Sequence, residues 1–358
     1  MNGRTYTKNR GSWKTSLAVI LAMAGQTVGG GGLPKEISAF VDDMVQKHGF
    51  QKKELVSLFE QTKSQPSIIK AIKRPAEAKP WYTYRAMFLT QNRIDQGRHF
   101  MEEHAALLDA LENAYGIPRA ILVAIVGIET NYGRSKGSYR VIDALRTLAF
   151  DYPPRSSFFT RELEQYLLMT REERFDALSL KGSYAGAMGI AQFMPSSYRV
   201  YAVDFNNDGI RDLFGSMEDA LASIANYFVQ HGWQNGAPIA LQAKLRSDLA
   251  SNRTALQRLI STSAKPDQSL TALRNAGVAL EGEYGGLPEK VSLLALDETP
   301  DRQSFWLTFP NFYVIKRYNN SALYSMAIVQ LAQAVSNGTL AASQSDLHAP
   351  GHEQTTTR

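Results

Sequence analysis

The feature that most constrains this chain is a nine-residue run, Ala120-Ile121-Leu122-Val123-Ala124-Ile125-Val126-Gly127-Ile128, in which every position is apolar. Pro118 precedes it, where the first turn of a helix tolerates a residue without an N–H. A helix that is apolar on every face must be surrounded by protein. At 358 residues, 44% hydrophobic and 20% charged, the chain has globular composition and enough length for two or three packed lobes around such a helix. Its 39 Lys and Arg against 34 Asp and Glu give a formal charge of +5. Arg4, Lys8, Arg10 and Lys14 all lie in the first 24 residues, which hold no acid, so the remainder carries only +1. Bulk charge therefore gives nucleic-acid binding no support. The absence of cysteine excludes disulfides, thiolate metal sites, cysteine nucleophiles and a thioether lipid anchor.

The basic run Arg4 to Lys14 leads into the apolar stretch Leu17 to Ala24, too short to span about 30 Å of hydrocarbon. With Ala22 and Ala24 as the small residues of a cleavage site, residues 1–24 read as a signal peptide and predict export. Residues 25–33, with four consecutive glycines, read as a flexible linker. Helical spacing of Ile37, Phe40, Val41 and Met44, then of Leu55, Leu58 and Phe59, opens a helical lobe over 34–115. Within it, one helix is expected over 92–115 and a strand or extended crossing at Trp81-Tyr82-Thr83-Tyr84. Further helices fit 141–148, 157–169, 188–203, 217–230, 251–260 and 320–335. The alternation Lys290 to Leu296 and the aromatics Phe305, Trp306, Phe309, Phe312 and Tyr313 suggest strands, in a helical and small β lobe over 236–342. Residues 343–358 are polar and read as a disordered tail. The fold class is mainly α with a small β element.

Glu129 ends the apolar run and precedes Thr130-Asn131-Tyr132-Gly133. Burial disfavours an ionised carboxyl, and the carbonyl end of a helix pushes the same way. A carboxyl kept neutral near pH 7 can protonate a glycosidic oxygen. A glutamate pointing to solvent from a fraying helix end cannot, and spacing alone does not separate the two.

Asp204-Phe205-Asn206-Asn207-Asp208-Gly209-Ile210 places oxygen side chains at alternate positions before a turn glycine, as in the opening of an EF-hand calcium loop. Position seven, Ile210, would offer its carbonyl; position twelve is Gly215, so Asp219 or Glu218 would have to close a longer loop. An Asx-rich turn without metal is the alternative. Such a metal would be structural, calcium or sodium, because nothing in the loop suggests an activated water. In Lys181 to Pro195, glycines and alanines permit close approach of backbone to a ligand or to another element, with Ser183, Gln192 and Phe193 lining that approach. Lys316-Arg317-Tyr318-Asn319-Asn320 forms an abrupt polar cluster after an apolar run.

Two other patterns carry no chemistry. Gly133-Arg134-Ser135-Lys136-Gly137 matches the G-x-S-x-G of serine hydrolases, but that elbow follows a strand and here a helix precedes it. The six histidines show no HExxH spacing.

Taken in order, Gly127 to Gly133, Lys181 to Tyr198, the loop from Asp204, Ala225-Asn226-Tyr227-Phe228 and Asn311 to Asn319 resemble the lytic murein transglycosylase B family, which cleaves bacterial peptidoglycan. The resemblance runs from about Leu33 to Val335. It implies a lysozyme-like catalytic core over 116–235 carrying the EF-hand-like loop, packed against the larger helical lobe, with the small β lobe completing a groove. It also implies Glu129 as the single catalytic acid, later acting as base. Ser183, Gln192, Phe193, Tyr227, Tyr318, Asn319 and Tyr324 would line the glycan groove. The metal set would be Asp204, Asn206, Asp208 and Ile210, closed by Asp219. This sequence departs from the family at Pro154-Arg155, where two arginines can occur, so that only Arg155 carries over as a groove contact. It departs again at Phe158, where a tyrosine can stand. Without a cysteine after the signal, a free periplasmic form is expected rather than a lipid-anchored one.

Most glycosidases use two carboxylates. Here Asp143, Asp151, Glu162 and Glu164 read as exposed helix faces or turns, which leaves Glu129 alone. The spacing shows only an acid; the resemblance implies cleavage between N-acetylmuramic acid and N-acetylglucosamine with closure of a 1,6-anhydro ring, without a catalytic cofactor. Alternatives are a lysozyme-type muramidase using the same groove, a non-catalytic wall-binding scaffold and a calcium-binding structural protein. The expected partners are peptidoglycan glycan strands and cell-wall synthesis or remodelling proteins, with the enzyme a monomer.

Overall fold

The computed structural model describes residues 32–73, 79–282 and 284–336; the expected signal peptide, most of the linker and the tail lie outside them. Helix α1 (Lys35–His48) ends at Gly49, whose φ of 66° turns the chain into α2 (Lys52–Glu60). Helix α3 (Pro66–Ile72) and α4 (Trp81–Phe88) follow. The extended crossing expected at Trp81 to Tyr84 is therefore helical, because one helix turn puts both aromatics into the core. The single helix expected over 92–115 is two, α5 (Gln91–Glu103) and α6 (Ala105–Tyr115). They break at His104, whose ring packs 4.4 Å from that of Phe100.

Helix α7 (Arg119–Thr130) is the apolar run, and Ile121 to Val126 have no exposed surface. Strand β1 (Tyr139–Arg140) pairs antiparallel with β2 (Lys181–Gly182), and between them lie α8 (Val141–Phe150), a 3-10 turn at Pro153–Arg155 and α9 (Ser156–Glu172). Only α10 (Pro195–Tyr201) survives of the helix expected over 188–203. Gly186, Gly189 and Gln192 take φ of 84°, 66° and 49°, which no α-helix accommodates, so 183–193 is a looped segment pinned by bridges at Met188. Helix α11 (Met217–Gln230) closes the central part.

The remainder forms the β lobe: β3 (Ala240–Leu245), α12 (Ser247–Ser251), α13 (Arg253–Leu259), β4 (Gln268–Ser269), α14 (Leu270–Asn275), β5 (Val278–Leu280), β6 (Lys290–Thr299) and β7 (Arg302–Thr308). The strands form an antiparallel sheet in the order β4-β6-β7-β3-β5. Its inner face carries a second apolar cluster, including Leu241, Val278, Leu293 and Leu307. The helix expected over 251–260 splits at Asn252, whose side chain caps α13 instead. Phe312 and Tyr313, expected in a strand, lie on α15 (Pro310–Tyr318), which Pro310 opens at its first position. Helix α16 (Ala322–Val335) then returns to pack on α7, α5 and α4.

Close approach at the end of α7 depends on Gly127. A Cβ there would lie 2.7 Å from the Tyr132 hydroxyl. That ring is buried, and its hydroxyl donates to the Arg93 carbonyl at 2.8 Å, so it has nowhere to move. Gly127→Ala is expected to cost about 1–3 kcal/mol, read as a lower urea midpoint with an unchanged denaturant slope.

Candidate active site

The last turn of α7 positions Glu129, and its closure is unusually tight. Asn131 and Tyr132 take φ of 49° and 60°, ahead of Gly133 at 79°. Left-handed backbone at a tyrosine is strained and persists only where its surroundings over-determine it. Here the Tyr132 N–H donates to Val126 O at 3.1 Å, and Thr130 Oγ1 accepts from the Gly133 N–H at 3.0 Å. The reversal leaves the Glu129 side chain beside a hollow of about 330 Å3, lined also by Thr90, Asn92, Arg93, Asn131 and Ser135. These upstream α5 residues carried no signal as site residues in the sequence, since they stand at an ordinary helix start. Glu129 keeps a partial opening to the hollow, so its desolvation comes from the packed side chains behind it.

Among the described residues one group hydrogen-bonds its carboxyl: the Tyr324 hydroxyl, which donates to Glu129 Oε1 at 2.6 Å. Tyr324 is held in the first turn of α16, where Ser321 Oγ accepts its N–H at 3.2 Å. Burial lifts the Glu129 carboxyl from 4.5 to about 7, with the Tyr324 hydrogen bond pulling the other way. Burial drives the phenols of Tyr318 and Tyr324 well above 10, and the charge of Glu129 beside them adds to that, so both remain protonated donors.

The other candidate carboxyl groups are occupied. Contrary to the expectation of exposed faces, Asp143 and Glu162 are only 3% and 5% exposed. Asp143 pairs with Arg140 at 2.8 Å and accepts the Lys63 N–H at 2.9 Å. Glu162 accepts the Ser196 N–H at 2.9 Å and its hydroxyl at 2.7 Å. Buried Glu173 is paired with Arg211. Asp151 is exposed beside Arg146, and half-buried Glu164 meets His48 at 2.9 Å. Among the described residues Glu129 receives neither a cation nor a backbone N–H, so nothing but the Tyr324 hydroxyl offsets the burial that raises its pKa.

The aromatic candidates do come together. Phe193 lies 5.8 Å from Tyr227 and 5.7 Å from Tyr318, which are 5.0 Å from each other. Their hydroxyls are committed to the frame: Tyr318 donates to Ala191 O at 2.5 Å and Tyr227 to Arg317 O at 2.6 Å. Ser183 Oγ accepts the Ala185 and Ala187 N–H groups at 3.2 and 3.0 Å, shaping the looped segment. Gln192 donates its amide to Gly189 O at 2.8 Å, and its carbonyl oxygen has no protein partner among the described residues. The Asn319 amide likewise makes no hydrogen bond among them. Arg155 stands apart: exposed, its guanidinium lies over the Phe158 and Phe159 rings at 4.5 and 5.1 Å, with no contact to Glu129 or the tyrosines.

The loop from Asp204 has the expected turn, with Gly209 at φ 89°. Asp204 accepts the N–H groups of Asp208 and Gly209 at 3.1 and 2.9 Å, and Asp208 accepts that of Ile210 at 2.9 Å. Asn206 Oδ1 accepts the Asp208 N–H at 3.0 Å. Fully buried Asp219 accepts from the N–H groups of Phe205, Asn206 and Asp212 at 2.8, 3.4 and 2.9 Å. Asp219 thus reaches back from α11 into the loop, where its oxygens accept backbone N–H groups. The oxygens suit a hard cation in kind and number. Among the described residues, however, no three acidic or histidine side chains converge as a ready-made metal cluster.

This geometry stands beside clear relationships to known proteins. Residues 33–333 match the family described as the transglycosylase SLT domain. The chain is 40% identical over 306 residues to membrane-bound lytic murein transglycosylase B of Escherichia coli strain K12, covering 83% of this chain and 81% of that protein. The structure of the Escherichia coli lytic transglycosylase Slt35 in complex with calcium superposes with a TM-score of 0.76 at 38% identity, covering 86% of this chain and 94% of the other. SltB3 of Pseudomonas aeruginosa, solved in complex with NAG-anhNAM-pentapeptide, gives a TM-score of 0.74 at 29% identity, covering 85% and 79%. With a match over most of its length and a neutral, buried glutamate where the apolar helix ends, the chain belongs to the lytic transglycosylases of the SLT domain family.

Proposed function

We propose that this enzyme cleaves the β-1,4 bond between N-acetylmuramic acid and N-acetylglucosamine in peptidoglycan, using Glu129 as its only acid and base. The observation that carries the reading is a carboxyl raised to about 7 whose one hydrogen-bond partner is a phenol. The neutral Glu129 gives its proton to the glycosidic oxygen as the bond to the muramic acid C1 breaks. The carboxylate so formed takes the proton of the C6 hydroxyl, whose oxygen bonds to C1 and closes the 1,6-anhydro ring. Glu129 ends protonated, and no water enters the product. Among the described residues no second carboxylate lines the hollow, which leaves neither two-carboxyl geometry of a hydrolase there, and the intramolecular hydroxyl gains the entropic advantage of a tethered nucleophile. The anhydro sugar in the SltB3 complex supports this outcome by relationship.

In this reading Phe193, Tyr227 and Tyr318 form the rigid wall of the groove, with Ser183 shaping its edge. The free polar ends of Gln192 and Asn319 meet the sugar amides, while Tyr324 orients the acid. Arg155 would meet only an extended substrate. Asp204, Asn206, Asp208, the Ile210 carbonyl and Asp219 would hold calcium or sodium, which would stiffen the loop at the start of α11; the calcium complex of Slt35 supports the choice of ion. No helix among the described residues is by itself long and apolar enough to cross a membrane. With residues 1–24 acting as an export signal and no cysteine for a lipid anchor, the enzyme would act as a free periplasmic monomer.

Glu129→Gln is expected to retain binding to glycan and lose at least 1,000-fold in turnover; digestion in heavy-oxygen water by the unmodified enzyme should leave the products unlabelled. Retained turnover removes the assignment, and incorporated label makes the enzyme a hydrolase.

The acid must be protonated to act, so kcat should fall as pH rises through about 7. Tyr324→Phe removes the hydrogen bond that lowers this pKa and should move that limb to higher pH, with reduced kcat. Stability follows the same sign: the raised group contributes fully below about pH 4.5 and loses its contribution as pH rises through about 7. Glu129→Gln should therefore gain on the order of 3 kcal/mol over the parent at pH 8 and almost nothing at pH 4, measured by denaturant titration. Chelation should lower the melting temperature and added calcium restore it, as expected for a ligand bound only by the folded state.

A further inference from the structure

A recess of about 620 Å3 opens on the β lobe and shares no lining residue with the hollow beside Glu129. Its volume is that of an ordinary small-molecule site. Three cations, Arg85 of α4, Lys244 of β3 and Arg302 of β7, face it together with one carboxylate, Glu298 of β6. That carboxylate is already used. Trp306 Nε1 donates to Ser304 Oγ at 3.1 Å, the Ser304 hydroxyl donates to Glu298 Oε1 at 2.8 Å, and Glu298 Oε2 accepts from Arg85 at 2.8 Å. The relay consumes the acid, whose side chain is 15% exposed, and locks the Trp306 indole in place at the edge of the recess. Lys244 meets only Glu281, with side chains 70% and 55% exposed, a pair that water screens. Arg302 is exposed and has neither an ion pair nor a side-chain hydrogen bond among the described residues. An anchored indole flanked by a free guanidinium and a weakly held ammonium suits an organic anion, with the guanidinium fork matched to a carboxylate.

We propose that this recess binds the peptide stem of the substrate, with Arg302 and Lys244 on its carboxylates and Trp306 against its apolar side chains. The inference rests on the peptidoglycan reading above. A peptide joined to muramic acid through its amino end necessarily presents a free carboxylate at the other, and the SltB3 ligand is such a pentapeptide. The two sites share their flanking helices. Arg85 lies on α4, which packs on α16, and Gln330 of the recess lies on α16 six residues beyond Tyr324, about 9 Å of helix rise. An extended pentapeptide spans about 17 Å, longer than the stretch of α16 between these two residues.

The test compares cleavage of glycan chains carrying pentapeptide stems with the same chains stripped of peptide by an amidase. Arg302→Glu should raise KM on stem-bearing chains about tenfold, leave kcat unchanged and have no effect on stripped chains; Arg302→Lys should keep most of the affinity. Trp306→Ala should act in the same direction, and calorimetric titration of Glu129→Gln with the disaccharide-pentapeptide should lose affinity when Arg302→Glu is added. Equal effects on both substrates, or none on either, would overturn the proposal. If the unmodified enzyme releases no anhydro ends even from stem-bearing chains, the Glu129 reading fails instead, and the calorimetric titration alone decides the recess.

Discussion

The proposed catalysis depends on taking the charge off one carboxyl. The packing around α7 does this by removing water from the helix on every side while offering Glu129 no cation and no backbone N–H. Asp143, Glu162, Glu173 and Asp219 are buried more completely than Glu129, yet each has an arginine or N–H donors for its charged form. Burial by itself does not make a proton donor; burial without a compensating partner does. Tyr324 is the partial exception, since its hydrogen bond orients the carboxyl and favours ionisation somewhat, leaving the group close to neutral pH, where giving and retaking a proton are both cheap.

The residues around it divide into frame and face. Tyr227 and Tyr318 carry polar tips, but those tips bind the carbonyls of Arg317 and Ala191. They tie the α15–α16 connection and the looped segment 183–193 to the central helices. What the wall offers a sugar is flat aromatic surface, while the free polar ends belong to Gln192 and Asn319. The strained reversal at Tyr132 serves the same purpose from the other side. Its hydroxyl on Arg93 O anchors α7 to α5 and fixes where the last helical turn stops.

The β lobe adds a second chemical character to the molecule. The hollow beside Glu129 is built around a neutral acid, whereas the recess on β3, β6 and β7 gathers positive charge around an indole. A polymer of uncharged sugars bearing anionic peptides presents both kinds of surface at once. An enzyme that reads both can place the bond to be cut by its sugars and choose the strand by its stems.

Much of this was legible in order along the chain. The uniformly apolar run Ala120 to Ile128 pointed to a buried helix, Glu129 at its end was a candidate acid that spacing alone could not separate from a solvent-facing one, and the spacing from Asp204 to Gly209 forecast a turn that the backbone adopts. Local periodicity misled where long-range contacts override it: Trp81 to Tyr84 turns helical to bury two rings, and 188–193 is denied a helix by left-handed Gly189, packed against the Leu213 backbone, and left-handed Gln192. Burial of Asp143 and Glu162 was hidden because their partners, Lys63 and Ser196, come from other elements. The sequence alone thus determined which residue types sit on which helices, since propensity and period are local properties. Only the tertiary structure decided that Tyr324, 195 positions away, hydrogen-bonds Glu129, and that Arg302 faces an open recess. Desolvation and charge pairing are set by neighbours in space, which no local pattern records.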